Sequence, residues 1–307
     1  MSKEIVITGA SGLIGSNLSK ALITRGDKVF IFTRDTDKTK KIIPGAAGYI
    51  DWDYNKPEKW AGYLNGKDNV IHLAGVNISG KRWSDNYKQA ILESRELGTK
   101  NLVNAISSIT EKPKSFICAS GVNYYGDSGD RLLTEEEEPG NDFLANVCKI
   151  WEDEAQNVEK FGVNRISIRT GVVLTAGDGA LKKMLLPFKL FVGGPLGSGA
   201  QWFPWIHLDD IVNIYIFLLD KDNLKGAFNA CSPDIVTMNE FAKTLGKVIN
   251  RPSFFKVPEF TLKLAAGEVA EIITASLKVI PKKLLELGYK FKFDSLTDAL
   301  KDSLKKN

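Results

Sequence analysis

The chain is poor in the residues that build metal centres and disulfide frameworks. Its 307 residues include only two histidines, His72 and His207, and three cysteines, Cys118, Cys148 and Cys231, which form no Cys-x-x-Cys pair. An odd, widely spaced set of cysteines argues against a disulfide scaffold. With so few imidazoles, a histidine-built metal site is not expected. Long apolar runs are missing as well: no stretch approaches the ~20 residues a membrane-spanning helix needs. The first residues run straight into a strand without the charged-then-apolar layout of a secretory signal. Charge of one sign is also scarce. Forty-one basic and 37 acidic residues leave a net +4, spread along the chain rather than gathered in blocks. Neither nucleic acid nor a membrane is therefore expected as a partner, and the expected compartment is the cytoplasm.

What is present is an alternation. Ile5-Val6-Ile7 is a short β-branched run of the kind found in buried parallel strands. A helix follows over about 12–25, with Leu13, Ile14, Leu18, Ala21 and Leu22 on one face, and Gly26 suits a left-handed cap. Further strands are expected at Val29-Phe30-Ile31-Phe32, Val70-Ile71-His72-Leu73, Ser115-Phe116-Ile117-Cys118 and 165–169. Long helices are expected from Ser84 to about Ile106 and from Asp142 to about Phe161. Strand and helix alternating at this rhythm implies right-handed crossovers and a doubly wound parallel sheet.

Beyond Thr170 the character changes. Gly193-Gly194-Pro195-Leu196-Gly197-Ser198-Gly199 can be neither helix nor central strand. Thr237 to Glu240 reads as a capping box, Ser295 to Asp298 as a weaker one, and Pro281 opens a helix closed by Gly288. The expected organisation is a dinucleotide-binding domain over 1–174, with a return to the sheet at about 205–230. A smaller mixed lobe over 175–204 and 231–307 then takes the substrate.

Chemistry first shows at Gly9-Ala10-Ser11-Gly12-Leu13-Ile14-Gly15. Gly9 permits a sharp strand-to-helix turn, Gly12 lets the backbone approach a pyrophosphate, and Gly15 lets the helix pack against the strand. The helix start offers free N–H groups and partial positive charge to phosphates, and the Ser11 hydroxyl can add to them. The second strand ends in Thr33-Arg34. An acidic residue there would suit NAD, whereas an arginine suits the 2′-phosphate of NADPH. Asp35 follows directly, so both readings have a residue in place, and the expectation is NADPH.

These features resemble the extended short-chain dehydrogenase/reductases, whose Gly-x-x-Gly-x-x-Gly spacing is that of Gly9, Gly12 and Gly15. His72-Leu73-Ala74-Gly75 is similar to the family's motif along the cofactor, and Tyr125-Gly126 to its tyrosine-glycine pair. More narrowly, Ser94-Arg95 with Thr99, Trp151-Glu152, 169–174 and the stretch from Gly193 through Gln201-Trp202-Phe203-Pro204-Trp205-Ile206-His207 resemble an atypical epimerase-like subgroup of the NAD-dependent epimerase/dehydratase superfamily, over nearly the whole chain. The resemblance implies a Rossmann fold in two lobes. It implies NADP contacts from the glycine turn (Gly9, Ser11, Gly12, Leu13, Ile14, Gly15), Thr33, Arg34, Leu73, Ala74, Gly75, Arg95 and Val172.

The family's usual proton-transfer pair is absent. Where ordinary members carry Tyr-x-x-x-Lys, this chain has Leu144 and Cys148. Leucine carries no proton, and a thiol is no substitute for an ammonium. The one Tyr-x-x-x-Lys in the chain, Tyr63 to Lys67, contains Gly66 and precedes a strand, so it is rejected. Ser120, at the end of the fifth strand, with Tyr124 or Tyr125 is the candidate replacement; the alternative is that both tyrosines only pack. His207 before Asp209-Asp210 reads either as a substrate group or as a hydrogen-bonded turn. The expected function is an NADPH-dependent oxidoreductase or epimerase acting on a small polar molecule. The alternative is an NADPH-binding sensor or scaffold without turnover. A homodimer is compatible with the long helices, but the sequence does not require one.

Overall fold

The computed structural model describes residues 2–305. Its first half runs β1 (Glu4–Thr8), α1 (Leu13–Arg25), β2 (Lys28–Thr33), α2 (Thr36–Ile42), β3 (Gly48–Asp51), β4 (Asn69–His72), α3 (Asp85–Ser108) and β5 (Ser115–Gly121). Then come β6 (Leu132–Leu133), α4 (Phe143–Gln156), β7 (Asn164–Thr170), β8 (Val172–Leu174), α5 (Gly179–Lys189), β9 (Trp205–His207), α6 (Leu208–Leu219) and β10 (Gly226–Ala230). The chain finishes with α7 (Met238–Val248), α8 (Glu259–Ala266), α9 (Ala270–Thr274), β11 (Lys278–Val279), α10 (Lys282–Glu286) and α11 (Leu296–Lys305).

Seven strands form one parallel sheet in the order β10-β7-β5-β4-β1-β2-β3. β1 lies at the centre, and the chain leaves it first in one direction through β2 and then in the other through β4. That reversal opens a crevice at the carboxyl ends of β1 and β4, where doubly wound folds bind ligands. Ile5 and Ile7 of β1 face one layer, with α1 and α6; Val6 faces the other, with α3 and α4. The alternation follows from the two-residue period of a strand, and both faces are apolar because both are covered.

Local signals set the boundaries. Gly26 closes α1 at φ 96°, Ser84 Oγ accepts from Tyr87 N at the start of α3, and Asp142 Oδ1 accepts from Ala145 N at the start of α4. Thr237 and Glu240 form the reciprocal capping box of α7. α4 is shorter than the sequence suggested: it ends at Gln156, and 157–161 tighten into a 3₁₀ turn before Gly162 at φ 79°. A third apolar cluster joins Leu181, Leu185 and Phe188 of α5 to Met238, Phe241 and Leu245 of α7, with Leu174 and Trp205 in the same cluster. The glycine-rich stretch from Gly193 contains no helix or named strand; Leu196 bridges to Val257. Among the described residues no helix is long and apolar enough to cross a membrane.

Candidate active site

The turn from β1 to α1 is packed backbone against backbone. Gly9 sits at φ 69°, and a Cβ on it would lie 2.6 Å from the Leu73 carbonyl carbon and 2.7 Å from Ala74 N. On Gly15 a Cβ would lie 2.4 Å from Gly9 O. No side chain fits at either place, and the close approach brings Leu73 and Ala74, at the end of β4, against the turn. Gly12 is the N-cap of α1 and, with Ser11, is exposed; no side chain caps the helix and no acid lies in its first turn. The helix start therefore keeps its N–H groups and partial positive charge for an anion from outside. A pyrophosphate fits this cradle on steric and electrostatic grounds alike.

The end of β2 settles how Arg34 and Asp35 divide their roles. Asp35 is the N-cap of α2, its Oδ1 accepting from Lys38 N at 2.9 Å. Arg34 is exposed and has no ion-pair partner among the described residues. The acid is thus spent on a helix end, while the guanidinium stays exposed at the carboxyl end of β2. Thr33 is buried and shares a 2.8 Å hydrogen bond with Thr39 Oγ1. Arg95, on α3, donates to Val76 O and Ile91 O, each at 3.1 Å. Its guanidinium lies over the Trp151 ring at 4.8 Å and packs against Gly75.

Next to this edge lies a cavity of about 740 Å³. Ser120, Leu144, Cys148, Arg95 and Val172 line it, so the structure brings together the strand-end serine, the two positions of the lost catalytic pair and two of the expected cofactor contacts. Burial pushes the Cys148 thiol up to about 11, with the Glu152 carboxylate adding to the rise. A thiol held protonated in this way is a poor nucleophile. All three cysteines are unpaired and buried.

Neither Tyr124 nor Tyr125 lines this cavity. Tyr125 is almost fully buried; its hydroxyl donates to Asn229 Oδ1 at 2.7 Å and accepts from Arg169 Nη1 at 3.0 Å. Tyr124 is half-buried, with the Arg169 guanidinium 3.4 Å from its ring centre. Burial raises both phenol pKa values above the ordinary one. Of the three candidate catalytic residues, Ser120 alone reaches the cavity.

Behind Ser120 lies a buried hydrogen-bonded network. Ser120 Oγ donates to Glu152 Oε1 at 2.7 Å, and Glu152 is held by Arg169 through Nε to Oε1 at 2.8 Å and Nη2 to Oε2 at 2.9 Å. Burial opposes charge on Arg169, but the hydrogen bonds and charge of Glu152, with the Tyr125 hydroxyl adding, together outweigh it and raise the pKa. Asn229 extends the chain: its N–H donates to Glu135 Oε1 at 3.0 Å. One signal could have found this network, because Leu144, Cys148 and Glu152 stand at four-residue intervals on one face of α4. His207 is the N-cap of α6, its Nδ1 accepting from Asp209 N at 3.0 Å, which is the hydrogen-bonded turn.

The NAD dependent epimerase/dehydratase family matches residues 5–231, and a domain of unknown function, DUF1731, matches 257–303. An epimerase family protein of Staphylococcus haemolyticus is 37% identical over 301 residues, covering 98% of each chain. A chloroplastic SDR39U1 homolog of Arabidopsis thaliana is 38% identical over 299 residues, covering 97% of this chain and 85% of its own. In structure, the human epimerase family protein SDR39U1 with NADPH superposes with a TM-score of 0.87 at 32% identity, covering 98% of this chain and 99% of that one. UDP-glucuronic acid 4-epimerase of Bacillus cereus superposes with a TM-score of 0.78 at 19% identity, covering 99% of each, a likeness of fold alone.

Proposed function

The chain belongs to the NAD-dependent epimerase/dehydratase family, and on that premise we propose that it binds NADPH along the carboxyl edge of its sheet and uses it to oxidise, reduce or epimerise a substrate at a carbonyl or alcohol carbon. The observation that carries this reading is the uncapped start of α1 above a turn with no room for side chains at Gly9 and Gly15. The NADPH held by the human relative at 32% identity supports the same choice of cofactor. Residues 1–174, with the return at about 205–230, hold the cofactor, and 175–204 with 231–307 form the substrate lobe. Ser11, Gly12, Leu13 and Ile14 face the pyrophosphate, Thr33 and Arg34 the adenosine, and Leu73, Ala74, Gly75, Arg95 and Val172 the remainder.

When bound, the nicotinamide supplies or accepts a hydride. The chain's own part is to move a proton. Ser120 meets the reacting oxygen. Its hydrogen is directed at Glu152, so its lone pairs are left to accept from a substrate hydroxyl. A proton leaving that hydroxyl passes to Ser120 Oγ as Ser120 passes its own to Glu152. Arg169 positions Glu152, and Tyr125 with Asn229 positions Arg169. Arg95 brings positive charge to the place where Cys148 has replaced a lysine.

A second reading, an NADPH-binding protein without turnover, draws on Leu144 and Cys148 lying in the cavity wall. NADPH deuterated at the transferable position separates the two when it is incubated with the protein and a panel of aliphatic and aromatic ketones. The reductase form of the enzyme reading requires deuterium in an alcohol product, and its loss in the Ser120→Ala variant. Label that stays in the cofactor throughout favours the sensor.

A further inference from the structure

The far wall of the cavity is made by the smaller lobe, and it is hydrocarbon and sulfur. Met184 and Phe188 of α5, Leu196 of the glycine-rich stretch, Met238 of α7, Val269 and Ile273 of the α9 region all line it. Two of the chain's three methionines are here; methionine is unbranched and fits its shape to a range of apolar ligands. The mouth continues in the same way. α8 presents Phe260 and Leu264 to solvent, 72% and 75% exposed and one helical turn apart, beside the lining residues Ala265 and Ala266.

Charge in the lining has one sign and, apart from the half-buried Arg95 near Cys148, belongs to exposed side chains. Lys81, Arg82 and Lys183 line the cavity and are exposed, while no aspartate, glutamate or histidine lines it. Lys183 Nζ donates to Ser79 O at 3.1 Å, which ties α5 to the 78–82 loop. Arg82 reaches towards the end of α8, where a Cβ on Gly267 would lie 2.8 Å from its Nε. The three cations therefore gather where that loop meets the smaller lobe.

From this arrangement we infer that the substrate is a carbonyl or alcohol compound with an extended apolar body and one anionic group, not a sugar nucleotide. The inference rests on the NADPH reading for its chemistry, but the wall stands on its own. A sugar hydroxyl buried without a partner loses its hydrogen bonds to water, and the wall of Met184, Phe188, Leu196, Met238, Val269 and Ile273 offers no polar side chain to meet one. An alkyl or aromatic body gains by burying its surface against that wall. The anion settles among Lys81, Arg82 and Lys183, and the carbonyl faces Ser120. This inference departs from the small polar substrate expected from the sequence, and it does so on the apolar wall.

Calorimetric titration of the NADPH-saturated protein with 4-oxodecanoate, nonan-3-one (the same ketone without its carboxylate) and UDP-glucose tests the inference. The expected result is that 4-oxodecanoate binds at least tenfold tighter than nonan-3-one and that UDP-glucose does not displace it. In the double variant Arg82→Gln, Lys183→Gln, both exposed positions whose change leaves the core intact, the advantage of the acid should fall to about threefold or less. Tighter binding of UDP-glucose, equal binding of the ketone and the acid, or no binding of either, would overturn it. The same titrations without NADPH separate the two readings: if NADPH itself does not bind, the ranking of the three ligands on the free protein still decides the nature of the cavity.

Discussion

Ser120 Oγ stands 2.7 Å from Glu152 Oε1, which puts a buried carboxylate one hydrogen bond behind the cavity wall. Replacing Ser120 with alanine cuts that path. Turnover should fall by about 10²- to 10⁴-fold, the usual range for a lost proton-transfer group, while NADPH affinity stays as it was. Tyr125→Phe removes a hydroxyl that lies outside the cavity, so it should lower thermal stability more than turnover. Steady-state kinetics on both variants, with NADPH titrations alongside, make the comparison.

The Glu152–Arg169 pair is almost wholly buried, with side chains 8% and 5% exposed. Removing one partner leaves the other charge without compensation. Arg169→Met should destabilise the protein by about 3–5 kcal/mol. The double variant Arg169→Met, Glu152→Met should cost clearly less than the two single changes added together. Urea unfolding of the four proteins gives the coupling.

Gly15 allows α1 to approach the turn. Gly15→Ala would drive a Cβ to 2.4 Å from Gly9 O and 2.8 Å from Ala10 Cα, both backbone atoms unable to step aside cheaply. The expected cost is about 1–3 kcal/mol, with at least a tenfold loss of NADPH affinity. Gly26→Ala is the control. It changes the glycine that caps the end of α1, at φ 96°, but nothing lies within 4 Å of its Cβ. It should cost about 1–2 kcal/mol and leave the affinity unchanged. Differential scanning calorimetry and cofactor titration distinguish the two.

His72 ends β4 just before Leu73 and is fully buried between aromatic rings, stacked on Phe116 at 6.1 Å. Burial, aided by the charge of Arg95, lowers its pKa from 6.5 to about 3. The native imidazole thus stays neutral where the unfolded one takes a proton. Stability from this group is complete above about pH 6.5 and is lost as the pH falls towards 3, at about 1.4 kcal/mol per pH unit. Between about pH 6.5 and pH 5 the loss is about 2 kcal/mol. His72→Phe keeps the ring stack and removes the titration, so its stability should fall less steeply over that interval in urea unfolding at stepped pH.

The sheet was legible because its strands are short apolar runs and its helices carry caps. Ile5-Val6-Ile7, Gly26, Ser84 and Asp142 each mean one thing locally, and tertiary packing agrees with them. The glycine turn was legible because Gly9 and Gly15 answer a backbone constraint that the order of residues already contains. Arg34 and Asp35 were ambiguous side by side; only the capping bond from Lys38 N to Asp35 assigns the acid to the fold. The four-residue spacing from Cys148 marks Glu152, but its partner Arg169 was not legible, because it lies 17 residues on, on a different element, β7. The apolar wall was hidden for a similar reason. Met184, Leu196, Met238 and Ile273 lie far apart in the chain and meet only in the folded cavity wall.

The central claim, that the crevice above Gly9, Gly12 and Gly15 is built for NADPH, is tested most directly by the ratio of NADPH to NADH affinity in the wild-type protein and in Arg34→Gln. The expected result is NADPH bound at least tenfold tighter by the wild type, with the preference largely lost in the variant because the 2′-phosphate has lost its guanidinium. Equal affinities in the wild type, or a preference for NADH, would contradict it.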